Sequence, residues 1–209
     1  MVGIVDSPSA LRSALNLPTG AVDFLEWRAD CMGSAIRDAK VPWIVTARHP
    51  LEGGKNSMSS AERRDVLTSL VPSAAIVDIE LRSLPLLRAV VSRAKESGSA
   101  VLASFHDFNK TPSPVRLRDL ISRAVDEGAS AVKIATHTSS PADLANLLNL
   151  FSISRLPLAV MGMGPLGMAS RVLFASCGSV LNYGWLHAPN VSGQLAAKDL
   201  RGILNQCLG

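Results

Sequence analysis

Eight short apolar runs recur along this chain, and each is separated from the next by a segment with the residue spacing of a helix. Strict alternation of this kind is typical of parallel strands joined by crossover helices. Eight strands favour a closed sheet, so the pattern predicts an α/β fold, a single (β/α)8 TIM barrel over residues 1–209. The runs are Val2–Val5, Val22–Trp27, Trp43–Ala47, Ala75–Leu81, Ala100–Phe105, Ala131–Ala135, Leu156–Met161 and Ser179–Tyr183.

The helical segments open on serines, several of which are followed by proline. A serine hydroxyl accepts a hydrogen bond from the free N–H groups of a first helical turn. Proline fits there because its nitrogen carries no proton that would stay unbonded. These signals predict helices that start at Ser7-Pro8, Ser59-Ser60, Ser83-Leu-Pro85, Ser113-Pro114 and Ser140-Pro141, and a last helix that carries Leu195 to Leu208.

An open, doubly wound sheet is the alternative arrangement of the same elements. Its first strand usually leads into a glycine-rich phosphate loop, whereas the first run here leads into Asp6-Ser-Pro-Ser9. The stretch from Gly162 to Gly167 does fit the G-x-G-x-x-G pattern, but it follows the seventh run rather than the first. The barrel is therefore favoured, with brief loops, since 209 residues is near the short end of its usual range.

Composition and charge limit the classes of molecule that this chain is expected to bind. The net charge is +4, but the basic residues are spread along the chain, and aromatic residues make up only 4% of it. This argues against nucleic acid, which needs a basic cluster or a base-stacking surface, and is compatible with a small anionic substrate. No apolar stretch approaches the roughly 20 residues of a membrane-spanning helix, so we expect no membrane partner.

The three cysteines, Cys31, Cys177 and Cys207, are isolated thiols. None lies in a C-x-x-C pair or beside a histidine at ligand spacing, so we expect no metal site. An odd number of cysteines without a signal peptide is typical of a reduced, cytoplasmic protein.

Polar side chains gather at the carboxyl ends of the predicted strands. Those ends meet at one mouth of a barrel, which is where barrel enzymes place their active sites. A single arginine–carboxylate pair in a barrel is as often structural as functional, so position alone assigns no role. The side chains at this mouth are Glu26, Arg28, Asp30, Thr46, Arg48, Glu52, Asp78, Glu80, Ser104, His106, Asp107, Lys133, Ser170 and Arg171.

Lys133 differs from the other lysines. It lies mid-strand between Val132 and Ile134, whereas the others lie in helical or loop contexts where an ammonium stays hydrated. Burial of an unpaired ammonium is costly, so a lysine in such a place must be paired or must lose its proton readily. An unprotonated lysine amine is the nucleophile that forms an imine with a ketone. The position therefore favours a functional lysine.

His106 and a carboxylate can supply the remaining chemistry. A protonated imine withdraws electrons from the neighbouring carbon, where a base such as His106 can remove a proton. The same imidazole, now charged, can protonate a hydroxyl that leaves from the next carbon. Glu52 and Asp107 are both candidates for orienting the ring.

The arginines Arg28, Arg48 and Arg171 can each fork onto a substrate carboxylate or onto hydroxyls. The remaining histidines are interpreted as core or surface residues without a role in the chemistry; they are His49, His137 and His187.

Taken together and in order, these motifs resemble the type I 3-dehydroquinate dehydratases of the shikimate pathway. The resemblance covers nearly the whole chain, and although each motif alone is weak, their order and spacing are specific. The motifs are Glu26-Trp-Arg28-Ala-Asp30, Thr46-Ala-Arg48-His-Pro-Leu-Glu52-Gly-Gly54, Asp78-Ile-Glu80, Ser104-Phe-His106-Asp107-Phe108 with Thr111-Pro112, Val132-Lys133-Ile134-Ala135, Met161-Gly-Met-Gly164 with Ser170-Arg171, and Ser192-Gly193-Gln194.

The resemblance implies a carbon–oxygen lyase that dehydrates 3-dehydroquinate to 3-dehydroshikimate, for chorismate and aromatic amino acid biosynthesis. It implies no metal, no cofactor and a homodimer. It implies Lys133 as the Schiff-base residue, His106 as general acid and base, and Glu52 as the support of His106; Glu80 is interpreted as structural. Substrate contacts are implied for Glu26, Arg28, Arg48, Arg171, Asn190 and Gln194, the last two on a loop that closes over the mouth.

The chain departs from the family pattern in two places. Members commonly show a Ser-x-Pro-Gly-Gln lid, where this chain has Asn190-Val-Ser192-Gly-Gln194. Asn190 stands where a substrate-binding serine is expected, and its amide can also donate to a hydroxyl. The chain also begins at the first barrel strand, so we expect a short barrel without an extended N-terminal hairpin.

Two other functions fit parts of the pattern. A Schiff-base aldolase acting on another small oxo compound shares Lys133 but has no need of the three arginines. A barrel that binds a ligand without turning it over is supported only by the altered lid, and it conflicts with the retention of both Lys133 and His106. The dehydratase is therefore the expected function.

Overall fold

The computed structural model describes residues 1–208, and over them eight parallel strands alternate with helices, which confirms the predicted barrel. The strands are β1 Val2–Val5, β2 Phe24–Arg28, β3 Trp43–Thr46, β4 Ala74–Glu80, β5 Ala100–Asp107, β6 Ala131–His137, β7 Leu158–Met163 and β8 Tyr183–Trp185. The α-helices are α1 Pro8–Leu15, α2 Ala29–Met32, α3 Ser60–Leu70, α4 Arg88–Glu96, α5 Pro114–Asp126, α6 Pro141–Leu148, α7 Leu150–Ile153, α8 Gly167–Ser176 and α9 Ala197–Leu208. Short 3-10 helices cover Pro50–Glu52 and Val71–Ser73.

The sheet runs in the order β7-β6-β5-β4-β3-β2-β1-β8 and curls so that its two ends meet. Within residues 1–208 no regular ladder joins β7 to β8; the segment before β8 closes the gap, where the Val180 N–H donates to the Leu158 carbonyl at 2.8 Å. The eighth strand, predicted at Ser179–Tyr183, is therefore displaced. Regular pairing begins only at Tyr183, opposite Val2 on β1.

Apolar side chains form two layers, one inside the barrel and a larger one between barrel and helices. Successive residues of a strand point to opposite faces, so each strand contributes to both layers. Polar residues in the inward phase of a strand therefore share the lumen with the inner layer. The inner layer consists of Val2, Ile4, Ile44, Leu102, Ala135, Ala159, Met161, Met163, Leu181 and Tyr183.

The serine signals predicted most helix starts correctly. The four serines Ser7, Ser59, Ser113 and Ser140 each accept a backbone N–H in the first turn of α1, α3, α5 and α6. The prediction at Ser83 is wrong, because α4 begins at Arg88. The hydroxyl of Ser83 instead accepts a hydrogen bond from Arg63 Nη1 at 2.9 Å. A buried guanidinium needs acceptors, and this need outweighs the capping preference.

Two helices that hold site residues were not predicted. Asp30 lies on the short helix α2 and not at the end of a strand, since β2 ends at Arg28. Ser170 and Arg171 lie on α8 rather than in a turn. Neither helix has a side-chain cap, so no capping signal announces it.

The helices are short for the most part, and α5 has 13 residues, more than any other helix within residues 1–208. Over residues 1–208, no helix combines the length and the apolar character that crossing a bilayer requires.

Candidate active site

A cavity of about 410 Å³ opens at the carboxyl ends of the strands, and we call it the substrate cavity. Its volume suits a small organic molecule. Strands β1, β2 and β5 to β8, the loops after β1, β3 and β8, and helix α8 contribute to its wall. Every site residue predicted from the sequence borders it, namely Glu26, Arg28, Arg48, Glu52, His106, Lys133, Arg171, Asn190 and Gln194.

Lys133 is buried in the lumen and paired, with its side chain only 4% exposed. Its Nζ lies 2.8 Å from Asp78 Oδ2 and 3.2 Å from Glu26 Oε2. It also lies 4.1 Å from the centroid of the Tyr183 ring, which is within the range of a cation–π contact. Of the two possibilities that the sequence left open for this lysine, the structure shows the paired one.

Asp78 joins Lys133 to a second buried cation, Arg48. Arg48 Nη2 donates to Asp78 Oδ2 at 3.0 Å, and its Nη1 donates to Ser104 Oγ at 2.8 Å. Burial alone would raise the pKa of Asp78, but the charges of Arg48 and Lys133 bring it well below its usual value. Burial would lower the pKa of Arg48, yet the charges of Asp78 and Glu80 raise it. This side of the cavity therefore carries its own counter-charges.

His106 and Glu52 form a second buried pair beside Lys133. Ser104 pairs with Lys133 in the register of β5 and β6, and His106 lies two residues nearer the mouth than Ser104. Glu52 Oε2 accepts the His106 backbone N–H at 2.9 Å and lies 3.1 Å from its Nδ1. Asp107, the other candidate partner, instead accepts backbone N–H groups of the turn that follows β5. Glu52 is thus the carboxylate beside the imidazole.

The surroundings of this pair shift both of its pKa values. Burial, and then the charges of Arg48 and Lys133, hold the pKa of His106 well below its usual value, so the imidazole is neutral near pH 7. Burial, and then the charge of Glu80, raise the pKa of Glu52 to about 7. Arg48 Nη1 also lies 3.0 Å from His106 Nδ1. A guanidinium and a carboxylate therefore compete for one ring nitrogen, and ionisation of Glu52 favours the tautomer whose Nε2 is free to accept a proton.

Arg28 borders the cavity, but two of its donors are already taken by Asp30. Arg28 Nε donates to Asp30 Oδ1 at 2.9 Å and Nη2 donates to Asp30 Oδ2 at 2.7 Å. Asp30 also accepts the backbone N–H groups of Arg48 and Lys55. Asp30 therefore holds the loop that carries Glu52 against the end of β2.

Arg171 is buried, with only 3% of its surface exposed. It has no carboxylate partner among residues 1–208. Its Nη1 donates to the Tyr183 carbonyl at 2.8 Å and its Nε to the Gly193 carbonyl at 3.3 Å. Burial lowers its pKa to about 10, and no anion among the described residues offsets the effect. An uncompensated buried cation is costly. Because Arg171 borders the substrate cavity, an anionic ligand there can supply the missing charge.

Residues 186–194 follow β8 and cross one side of the mouth; we call this segment the lid. The Asn190 amide donates to Asp6 Oδ2, and its backbone N–H donates to Gln194 Oε1 at 2.8 Å. Asp6 also pairs with Lys55 at 3.1 Å. The two predicted lid residues therefore bond to each other and to the residue that follows β1.

The lid is also held at β7, although it has a serine where the family commonly has proline. The Ser192 carbonyl accepts the Gly164 N–H at 2.9 Å. Gly193 has a φ of +77°, and a Cβ there would lie 2.5 Å from the Gly164 carbonyl oxygen. Only glycine fits this crossing point.

Sequence reasoning missed several residues of this site. Asp78 was noted at the mouth, but no role was assigned to it; its signal is a second carboxylate in phase with Glu80 on an apolar strand. Asp6 and Tyr183 border the cavity and gave no signal of their own. His187, interpreted as a core or surface residue, is exposed but does border the cavity.

The other residues interpreted as structural lie outside the cavity wall. Glu80 pairs with the buried Arg63 and accepts the His49 N–H at 2.8 Å. The His49 ring accepts the Leu51 N–H at 3.0 Å, and His137 packs against Gly164.

Comparison with known proteins gives this arrangement a family. The sequence model of the family described as Type I 3-dehydroquinase matches residues 4–208. The 3-dehydroquinate dehydratase of Methanocella arvoryzae is 31% identical over 208 aligned residues, which cover 96% of this chain and 93% of the relative. Among solved structures, 3-dehydroquinate dehydratase of Geobacillus kaustophilus is 26% identical with a TM-score of 0.87, over 98% of this chain and 89% of that one. Type I 3-dehydroquinate dehydratase of Clostridium difficile, solved with covalent modified comenic acid, is 25% identical with a TM-score of 0.86. The match covers 98% of this chain and 91% of that one. The chain belongs to the type I 3-dehydroquinase family and is an enzyme of that family.

Proposed function

We propose that this chain dehydrates 3-dehydroquinate to 3-dehydroshikimate through a Schiff base on Lys133, as a step of the shikimate pathway. The observation that carries the proposal is one cavity that brings together a buried lysine, a histidine–carboxylate pair and an uncompensated arginine. The names of the relatives support the substrate, and the covalently modified ligand in one of them supports covalent chemistry.

Lys133 Nζ forms the imine. It attacks the ketone carbon of the substrate, and the carbonyl oxygen leaves as water. The ammonium must first give up a proton, and Glu26, at 3.2 Å, is the acceptor that we propose. Asp78 is less suited, because Arg48 and Lys133 together hold it ionised. Its role is to keep the amine in place.

His106 moves the protons of the elimination. Its neutral imidazole takes a proton from the carbon next to the imine, and the C–H electrons pass into the imine system. The imidazolium then gives its proton to the hydroxyl that leaves from the next carbon as water. Glu52, 3.1 Å from Nδ1, stabilises the charged ring between these steps. Hydrolysis of the imine releases the product and restores the Lys133 amine.

Arg171 binds the substrate carboxylate. It is the buried cation of the cavity that lacks a carboxylate among residues 1–208, and a carboxylate ligand compensates it. The aldolase alternative has no need of Arg28, Arg48 and Arg171, all three of which border the cavity. Glu26, Arg28, Arg48, Asn190 and Gln194 are the proposed contacts for the ring hydroxyls and the remaining polar groups.

We also propose that the barrel of residues 1–209 works as a cytoplasmic homodimer without metal or cofactor. Light scattering on the purified protein tests the dimer, and turnover after treatment with a chelator tests the metal. A loss of turnover that a divalent metal restores would contradict the proposal.

Turnover and covalent trapping test the function together. Incubation with 3-dehydroquinate should produce the ultraviolet absorbance of a conjugated enone acid, and borohydride should fix the ligand mass on the peptide that holds Lys133. Lys133→Ala should lower turnover by about four orders of magnitude or more, as removal of a covalent nucleophile does. The control Lys198→Ala, at an exposed position on α9, should behave like the parent. An adduct on another lysine, or turnover of Lys133→Ala close to that of the parent, would refute the mechanism.

A further inference from the structure

A second cavity, of about 300 Å³, lies beside the substrate cavity and shares His106 and Glu52 with it. Its remaining wall is formed by α5, by the end of β5 and by the segments that follow β3, β4 and β5. We call it the arginine cavity, because Arg82, Arg116 and Arg123 line it. The acid/base pair of the proposed mechanism therefore borders a space that the mechanism does not use.

The three arginines converge from two elements. Arg82 follows β4, and Arg116 and Arg123 lie seven residues apart on α5, on one face of the helix. None of the three forms an ion pair with another described residue. Some other exposed arginines do pair with carboxylates, as in Arg64–Asp65, Arg88–Glu127 and Arg93–Glu96.

The carboxylates of this cavity are engaged elsewhere. Asp107 Oδ1 accepts the backbone N–H groups of Asn109 and Lys110 at 2.9 and 3.1 Å. Glu52 is bonded to His106, and its pKa of about 7 leaves it partly neutral. Three guanidinium groups face Asp107 and the partly neutral Glu52, so positive charge is in excess in this cavity, and like charges that face one space repel each other.

We propose that the arginine cavity binds a small anion with at least two negative charges, of the phosphate or polycarboxylate class. Guanidinium groups match both kinds of oxyanion because their planar N–H donors bind two oxygens at once. A ligand that bridges Arg82 to the α5 face relieves the repulsion among the three charges. The site goes beyond the proposed dehydration and does not depend on it, since the binding residues take no part in the chemistry.

Calorimetric titration of the full chain with pyrophosphate and, separately, with citrate tests the site. We expect one equivalent of at least one probe to bind, and the tighter probe assigns the phosphate or the carboxylate class. The double variant Arg116→Gln/Arg123→Gln should weaken that binding by about tenfold or more, the usual worth of a lost hydrogen bond to a charged group. Arg118→Gln/Arg155→Gln is the matched control, because it removes the same two charges from exposed arginines that lie outside the cavity. It should leave the Kd within about twofold, as an exposed charge acting through water contributes little.

Three results would overturn the proposal. The first is saturable binding of neither probe. The second is equal weakening by Arg118→Gln/Arg155→Gln and by Arg116→Gln/Arg123→Gln, which would mean diffuse attraction to a basic surface. The third is binding that is lost in Arg171→Gln but kept in Arg116→Gln/Arg123→Gln, which would place the anion in the substrate cavity. Failure of the proposed dehydratase function would look different, with anion binding intact and no turnover of 3-dehydroquinate.

Discussion

The two sides of the substrate cavity treat buried charge in opposite ways. On the side built from β2 to β6, the cations Lys133 and Arg48 meet Asp78 and Glu26 at hydrogen-bond distances. On the side built from β7, β8 and α8, Arg171 meets only backbone carbonyls among residues 1–208. Both sides bury charged side chains to a similar extent, so burial alone does not distinguish them.

This difference shows what each side is for in the proposed reaction. Compensated charges hold each other in place, so the groups that do the chemistry are oriented before a ligand enters. An uncompensated charge gains its partner only when an anion binds. The free energy lost in burying that charge is then recovered as binding energy for the anion. The paired side is thus suited to catalysis, and the unpaired side is suited to recognition.

After Lys133→Ala, the largest effect is expected at His106, on the catalytic side. His106→Ala should lower turnover by about two to four orders of magnitude, the usual worth of a positioned acid and base. Imine formation on Lys133 should be slower, but the trapped adduct should still form, because Asp78 and Glu26 continue to hold the amine. Rates by ultraviolet absorbance and adducts by mass spectrometry measure the two effects.

The control for this variant is His137→Ala, at the end of β6 and outside the wall of the substrate cavity. It should keep turnover within a few-fold of the parent. Near-normal turnover of His106→Ala would show that the proton-transfer role is wrong.

The free energy of unfolding of variants from each side of the substrate cavity tests the comparison most directly. Asp78→Asn leaves Arg48 and Lys133 without their shared anion and should lower the free energy of unfolding by about 3–5 kcal/mol. Arg171→Met removes a buried charge that has no counter-charge, so relief of desolvation should offset the lost carbonyl bonds to within about 1 kcal/mol. Urea unfolding of both variants measures the contrast. Equal losses in the two variants would mean that pairing is not what distinguishes the sides.

The same Arg171→Met variant should be impaired in recognition. Loss of one partner of a buried charge pair is worth about 2–5 kcal/mol, so KM for 3-dehydroquinate should rise by about thirtyfold or more. The adduct on Lys133 should still form at saturating ligand, because the catalytic side is intact. A fall in kcat with an unchanged KM would place Arg171 in the chemistry instead.

Glu52 gives the catalytic side a pH dependence. Its pKa is about 7 in the folded protein against a usual value of 4.5, so the folded state holds the proton more tightly than the unfolded chain. The stabilisation is full below pH 4.5 and is lost as the pH rises through 7; over this window it amounts to about 3 kcal/mol. Glu52→Gln does not titrate, so its unfolding free energy should not show this loss.

Urea unfolding at about pH 5 and about pH 8 measures the difference between parent and variant at each pH. The control is Glu96→Gln, because that glutamate is exposed on α4. Parallel curves for the parent and Glu52→Gln would show that the carboxyl is not perturbed.

The smallest effect is expected at the lid. Asn190→Ala removes a hydrogen bond to Asp6 at an exposed position, which is worth about 0.5–1.5 kcal/mol at most. KM should rise no more than about tenfold with little change in kcat. Asn190→Ser, with the residue that the family commonly carries, should lie closer to the parent. A fall in kcat beyond a hundredfold, by steady-state kinetics, would make Asn190 part of the catalytic side.

By itself the sequence determined the fold and nine of the residues that line the cavity. Strand and helix periods, and serine caps such as Ser7 and Ser140, are local signals, and a barrel is the closed way to arrange eight such units. Because strand ends must meet at one mouth, residues such as Glu26, His106 and Lys133 could be placed together without any contact being known.

Only the tertiary structure decided how the charges pair. Lys133 lies 55 residues from Asp78 and 107 from Glu26 along the chain, and no local rule says which carboxylates reach its Nζ. The helix that carries Arg171 and the late start of β8 also lack a local signal, because packing at the β7–β8 junction sets both. A hydrogen-bonded ion pair needs a donor–acceptor distance that is right to within a few tenths of an ångström. Side chains from distant strands reach such distances only once the barrel has closed.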